Sequence, residues 1–131
     1  AGNASSTGFE KRPTLLNKVD SPPVLPILTP RFVPTCTRDM MLRLGFLSYK
    51  YGLPVQSHLS ESIAEIAWVK DLHPDCETYA EVYNSCHMLH SATIMGHCCF
   101  SDEPERRLLQ AKNASVVHCA SSNFNLNSGT A

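Results

Sequence analysis

The sequence predicts an α/β fold built on a parallel sheet, arranged as part of a (β/α) barrel. Three observations carry that prediction. Short apolar runs alternate with helix-periodic segments in the order β-α-β-α-α-β-α-β. The runs are nearly continuous in apolar residues, the pattern of parallel strands covered on both faces. Arg31, His58, His97 and His118 each fall at the C-terminal end of a run, which in a (β/α) barrel is the active-site face. A closed barrel needs eight strands, so the expectation is about half a barrel, with four β/α units.

Each element has its own signal. Val24 to Thr29 is an apolar run bounded by prolines and followed by Pro30-Arg31-Phe32. Met40, Leu44, Leu47 and Tyr51 recur at helical spacing, predicting a core-packing stripe, and Gly52 closes that helix. Leu53 to Ser57 is the second strand. Ser62 with Glu65 has capping-box spacing and starts a helix to about His73-Pro74; Thr78 with Glu81 repeats it for a shorter helix through Tyr83. Ala92 to His97 is the third strand. Ser101, Asp102 and Glu103 open a helix carrying Leu108 and Leu109, and Ser115 to His118 is the fourth strand. Residues 1–23 read as a polar, irregular lead-in, and residues 24–131 as the barrel segment.

Composition narrows the function. A chain of 131 residues, 43% hydrophobic and 18% charged, suits one modest soluble domain. A net charge of -1 offers no basic surface for nucleic acid, and no apolar run reaches the roughly 20 residues of a membrane helix. The start has neither an initiator Met nor a signal-peptide pattern, which leads to the expectation of a piece of a longer chain, truncated at both ends. The six cysteines form no CxxC, and Cys98-Cys99 are adjacent, so they read as reduced, mostly buried thiols of a cytoplasmic protein. The sequons at Asn3 and Asn113 then read as chance matches.

Val55-Gln56-Ser57-His58-Leu59-Ser60-Glu61 carries the most chemistry. A strand-end imidazole can hold a metal, and a carboxylate three residues on can move protons to and from an activated water. The bland alternatives are a structural histidine at 58 and a helix-start carboxylate at 61. For His97 the alternative is a hydrogen-bonded core histidine; for Arg31 it is a surface ion pair. His118 is left open between the two kinds of role. His73, His87 and His90 read as solvent-facing, Trp68 as helix packing, and Glu103 to Arg107 as a solvated helix face. No Gly-rich phosphate loop occurs.

Thr29-Pro30-Arg31-Phe32, Val55 to Glu61, Met95-Gly96-His97-Cys98 and His118-Cys119-Ala120-Ser121-Ser122-Asn123 together resemble the guanine deaminases of the amidohydrolase superfamily. The resemblance covers about residues 24–131, and Pro-Arg-Phe is the part that points to guanine. It implies a TIM-like (β/α)8 barrel, one zinc ion, hydrolysis of guanine to xanthine and ammonia, and a homodimeric full-length protein. By the same resemblance His58 is a zinc ligand at the substrate, Glu61 shuttles protons, His97 stands beside the reacting water, and Arg31 and Phe32 hold the purine. The chemistry is coherent: a guanidinium fork matches the O6/N7 edge of guanine, and a phenyl ring packs on a flat base.

The sequence departs from the family pattern at three places. No His precedes His58, so the first-strand His-x-His pair is missing; no eighth-strand Asp ligand is found; and Ala120 stands where relatives commonly carry Pro. The remaining zinc ligands are therefore expected outside this segment, and the segment alone is expected to be inactive. Two rival functions stand beside this one: deamination of another purine or pyrimidine, and a non-catalytic interaction module on a remnant barrel.

Overall fold

Strands β1 (Val55–Leu59), β2 (Thr93–His97) and β3 (Ser115–Val117) stand side by side, all parallel, in a computed structural model that describes residues 24–129. The lead-in expected over residues 1–23 lies outside the described residues. The register sets His58 opposite Gly96 and Leu59 opposite His97.

The strands alternate. Val55, Ser57 and Leu59 are buried and Gln56 is exposed; Thr93, Met95 and His97 are buried and Ile94 is 37% exposed. Val55, Leu59 and Met95 share one core with Met41, Val69, Val82, Tyr83 and Leu109 from the helices, each worth roughly 1.5–3 kcal/mol on burial. Helices cover one face, and the face bearing His58 is open among the described residues.

The run 24–29 does not form a strand. Leu28 makes a single parallel bridge to Val55, because prolines 26 and 30 remove donors a ladder needs. The segment still follows β1: Leu28 N–H donates to Pro54, Gln56 N–H to Leu28, and His58 N–H to Arg31, at 2.9, 2.9 and 3.2 Å. That pairing carries Arg31 to the side of His58. A 3-10 turn, Val33–Thr35, follows.

Helix α1 (Arg38–Tyr51) starts where the Thr37 hydroxyl accepts from Met40 N–H and stops at Gly52, whose φ of 65° is left-handed. Its buried face is Met41, Gly45 and Ser48; of the expected stripe Leu44 packs on the core, while Met40, Leu47 and Tyr51 are 50%, 37% and 41% exposed. The face is set by Gly45, where a Cβ would stand 1.9 Å from the Cys86 carbonyl oxygen. Only glycine lets the two backbones approach so closely.

Helices α2 (Ile63–Leu72) and α3 (Tyr79–Ser85) are capped by Ser62 and Thr78, as their spacing predicts. The Glu65 carboxylate accepts instead from Tyr79 Oη at 2.8 Å. Helix α4 (Glu103–Ala111) is capped by Asp102, and α5 (Ala120–Asn125) is an element the sequence reading lacked.

Several surface readings are corrected. His73 and His90 are 8% and 7% exposed, and His90 Nε2 pairs with the buried Ser48 hydroxyl at 2.8 Å. Trp68, one step round α2 from buried Val69, is 52% exposed and sets its ring edge-on to Phe32 at 6.3 Å. Glu105, expected in a solvated face, is 2% exposed. All six cysteines are free thiols, of which Cys76, Cys86 and Cys98 are buried. Burial, with the Glu105 charge second, pushes the Cys98 thiol up to about 12.

Candidate active site

The site lies at the carboxyl ends of β1 and β2. His58 is the fourth residue of β1, inside the strand rather than beyond it, and it faces the open side of the sheet. Room for its ring comes from Gly96 across the register, whose missing side chain would lie 3.4 Å from His58 Cδ2. His97 ends β2 with φ at 71°, followed by Cys98 at 51°, and Ser60 just after β1 has φ at 47°. Three non-glycine residues in left-handed backbone mark the strand ends as strained, a condition that clusters at functional sites.

The strain is held by hydrogen bonds. Cys98 N–H donates to Leu59 O at 2.8 Å and Phe100 N–H to Ser60 O at 3.0 Å, which ties the two strand ends together. Ser60 Oγ donates to Glu105 Oε2 at 2.7 Å, while Glu105 Oε1 accepts from Ala80 N–H at 2.9 Å. Under β1, Tyr83 Oη donates to the His58 carbonyl at 2.9 Å.

These constraints bring His58, Glu61 and His97 together. The His58 and His97 rings meet edge to face with centroids 5.0 Å apart. His97 Nδ1 lies 3.6 Å from Glu61 Oε1, with the side chains 7% and 21% exposed. Glu61 precedes the cap Ser62 and stands outside α2, so it is not the carboxylate of the first helical turn; that is Glu65. Burial first, and His97 second, hold the His58 imidazole below its usual value. A neutral imidazole with a free lone pair is the form a metal binds.

Arg31 reaches the same neighbourhood. Its carbonyl accepts from His58 N–H, and its guanidinium stands 5.5 Å from the Phe32 ring centroid. Its charge is among the influences that lower His58.

Two residues that the sequence reading gave no role complete the arrangement. Asn123 Oδ1 accepts from His97 Nδ1 at 2.6 Å, and its Nδ2 meets His118 Nδ1 at 3.2 Å. Ser128 Oγ donates to Glu61 Oε1 at 3.2 Å. His118 itself is exposed just past β3. Asn123 stood within a stretch already singled out, but no spacing rule ties an amide to an imidazole twenty-six residues away.

The donor chemistry fits a metal in part. His58 and His97 supply neutral-capable imidazoles and Glu61 a carboxylate at one point, yet no group of three or more His, Cys, Asp or Glu among the described residues is set to hold an ion.

Imidazole and carboxylate side chains gathered at the carboxyl ends of parallel strands with helices behind them have the arrangement of a (β/α)-type site. The amidohydrolase family pattern matches residues 9–131, and the chain belongs to that family. It is 45% identical over 109 residues to the guanine deaminase of Dictyostelium discoideum, covering 83% of this chain and 24% of that protein. The solved guanine deaminase from C. acetobutylicum, with guanine bound in its active site, superposes with a TM-score of 0.78 at 52% identity, over 79% of this chain and 25% of that one. A zinc-bound adenosine deaminase from Xanthomonas campestris shares the fold, with a TM-score of 0.66 at 24% identity over 72% of this chain and 21% of its own. The chain thus spans about a quarter of the length of the guanine deaminases it matches.

Proposed function

We propose that this chain is the part of a zinc-dependent guanine deaminase that carries its proton-transfer and purine-holding residues, and that the whole protein hydrolyses guanine to xanthine and ammonia. The observation that carries the reading is the meeting of His58, Glu61 and His97 at the ends of adjacent parallel strands, with Arg31 bonded to β1 beside them. The identity to guanine deaminases supports guanine as the substrate. In this reading the segment supplies the β/α units of β1, β2 and β3 with the bridged edge at Leu28 beside them, the parent is a cytoplasmic homodimer, and the other zinc ligands lie outside residues 24–129.

His58 is the residue that would hold zinc, which when bound lowers the pKa of water to about 7 and makes hydroxide available at neutral pH. Glu61 takes the proton of the attacking water and delivers it to the departing amine, the task a non-ligating Glu has in other zinc deaminases. His97, with Nδ1 engaged by Asn123, keeps Nε2 to accept a hydrogen bond in the reacting region. Arg31 donates its fork to the O6/N7 edge, and Phe32 packs on the base, backed by Trp68.

The experiment is guanine turnover by the zinc-loaded parent protein that contains this segment, wild type against Glu61→Gln. Glu61→Gln is expected to retain zinc and to lose about 100-fold or more in kcat. A kcat near the wild-type value removes Glu61 from proton transfer, and a wild type that releases no ammonia from guanine removes the substrate assignment.

A further inference from the structure

The segment from α5 to Ser128 grips both site side chains: Asn123 holds His97, Ser128 holds Glu61, and Ser128 N–H donates to the Asn123 carbonyl at 2.8 Å. Asn123 is 0% exposed, and a buried amide makes its hydrogen bonds within the protein. The two ends of its side chain make opposite demands, since the oxygen only accepts and the NH2 group only donates. His97 Nδ1, against Oδ1, must carry a proton; His118 Nδ1, against Nδ2, must be bare. The orientation of the amide is not arbitrary. Glu61 Oε1 lies 3.6 Å from the same His97 nitrogen, and a carboxylate there favours N–H on His97, which in turn calls for the amide oxygen.

We infer that Asn123 is a positioning residue that assigns opposite tautomers to two histidines, leaving His97 with its lone pair on Nε2 and His118 with its proton on Nε2. One buried amide thereby builds an acceptor and a donor from two chemically identical rings. The use of these groups rests on the guanine-deaminase reading: His97 Nε2 accepts in the reacting region, and His118 Nε2–H donates to a carbonyl oxygen or ring nitrogen of the purine. The tautomers themselves need no substrate.

The test is the 15N–1H long-range correlation spectrum of the histidine rings in the labelled parent protein that contains this segment, at about pH 8, above the ordinary imidazole range. The wild type should show His97 protonated on Nδ1 and His118 protonated on Nε2. In Asn123→Asp both faces of residue 123 accept, so His97 keeps its Nδ1 proton while His118 moves its proton from Nε2 to Nδ1. Asn123→Leu should leave His118 averaging between tautomers. A wild-type His97 protonated on Nε2, or an Asn123→Asp chain whose His118 stays protonated on Nε2, overturns the inference. The wild-type spectrum decides by itself if a variant does not fold. Predicted tautomers in a protein that leaves guanine intact sink the substrate reading alone; reversed tautomers in a protein that consumes guanine sink the Asn123 assignment alone.

Discussion

Ser60 donates its hydroxyl proton to Glu105 across 2.7 Å, joining the left-handed residue just before Glu61 to a carboxylate buried in α4. The other oxygen of Glu105 accepts from Ala80 N–H at the start of α3. One carboxylate therefore links the strand end that presents Glu61 to two helices packed behind the sheet.

Truncating Glu105 leaves the Ala80 N–H and the Ser60 hydroxyl without their acceptor, and it enlarges an existing cavity of about 200 Å³ that Glu105 lines. Glu105→Ala should cost about 2–4 kcal/mol, while Glu105→Gln, which keeps an acceptor for Ala80, should cost under about half as much. Urea titrations of the two variants decide it. Equal losses would mean that Glu105 matters for bulk rather than for its bonds.

At position 45, helix propensity and packing give opposite signs. Alanine is favoured over glycine in a helix by about 1 kcal/mol, but its Cβ would stand 1.9 Å from the Cys86 carbonyl oxygen. Backbone has to move, so Gly45→Ala should destabilise by about 2 kcal/mol or more. A stabilised variant in thermal unfolding would show that α1 does not approach Cys86 this closely.

Gly96 has more room. An added Cβ would lie 3.4 Å from His58 Cδ2 and 3.5 Å from Cys119 Sγ, which is ordinary contact. Gly96→Ala should fold with stability within about 1 kcal/mol of wild type. Gly96→Val needs space that the His58 ring occupies, so the His58 ring resonances should move in its spectrum. Unmoved His58 signals in Gly96→Val would place the ring elsewhere.

His73 gives the fold a pH dependence of known sign. Burial first, and the Arg38 charge second, hold its imidazole below the usual value, with Asp75 opposing. The unfolded chain therefore binds more protons than the folded one below about pH 6.5. Stability is complete above that pH and declines as pH falls toward the folded-state value. His73→Gln should flatten that decline relative to wild type in urea titrations at successive pH values; parallel curves would remove His73 as the cause.

That His58, Glu61 and His97 would meet at one end of the sheet was legible from the sequence, because strand placement depends on local pattern, and Arg31 joins them through the backbone bond from His58 N–H. What pattern could not carry was contact between distant elements. The Met40 stripe failed by one residue because Gly45 meets Cys86 across the fold, a fact with no signature near position 45. Glu105 sat in a run of charges that reads as solvated, and only the packing of α3 against α4 buries it. The run at 24–29 had strand composition, but its prolines reduced it to one bridge at Leu28.

The bond from Ser128 to Glu61 spans 67 residues of chain. During synthesis on the ribosome, β1, α2 and α3 can dock as soon as they emerge, since their contacts are close in sequence. Glu61 and His97 must wait for residues 123 and 128 before their last partners exist. The scaffold can assemble before the partners of Glu61 and His97 are made, so these two side chains are the last of the cluster to be fixed.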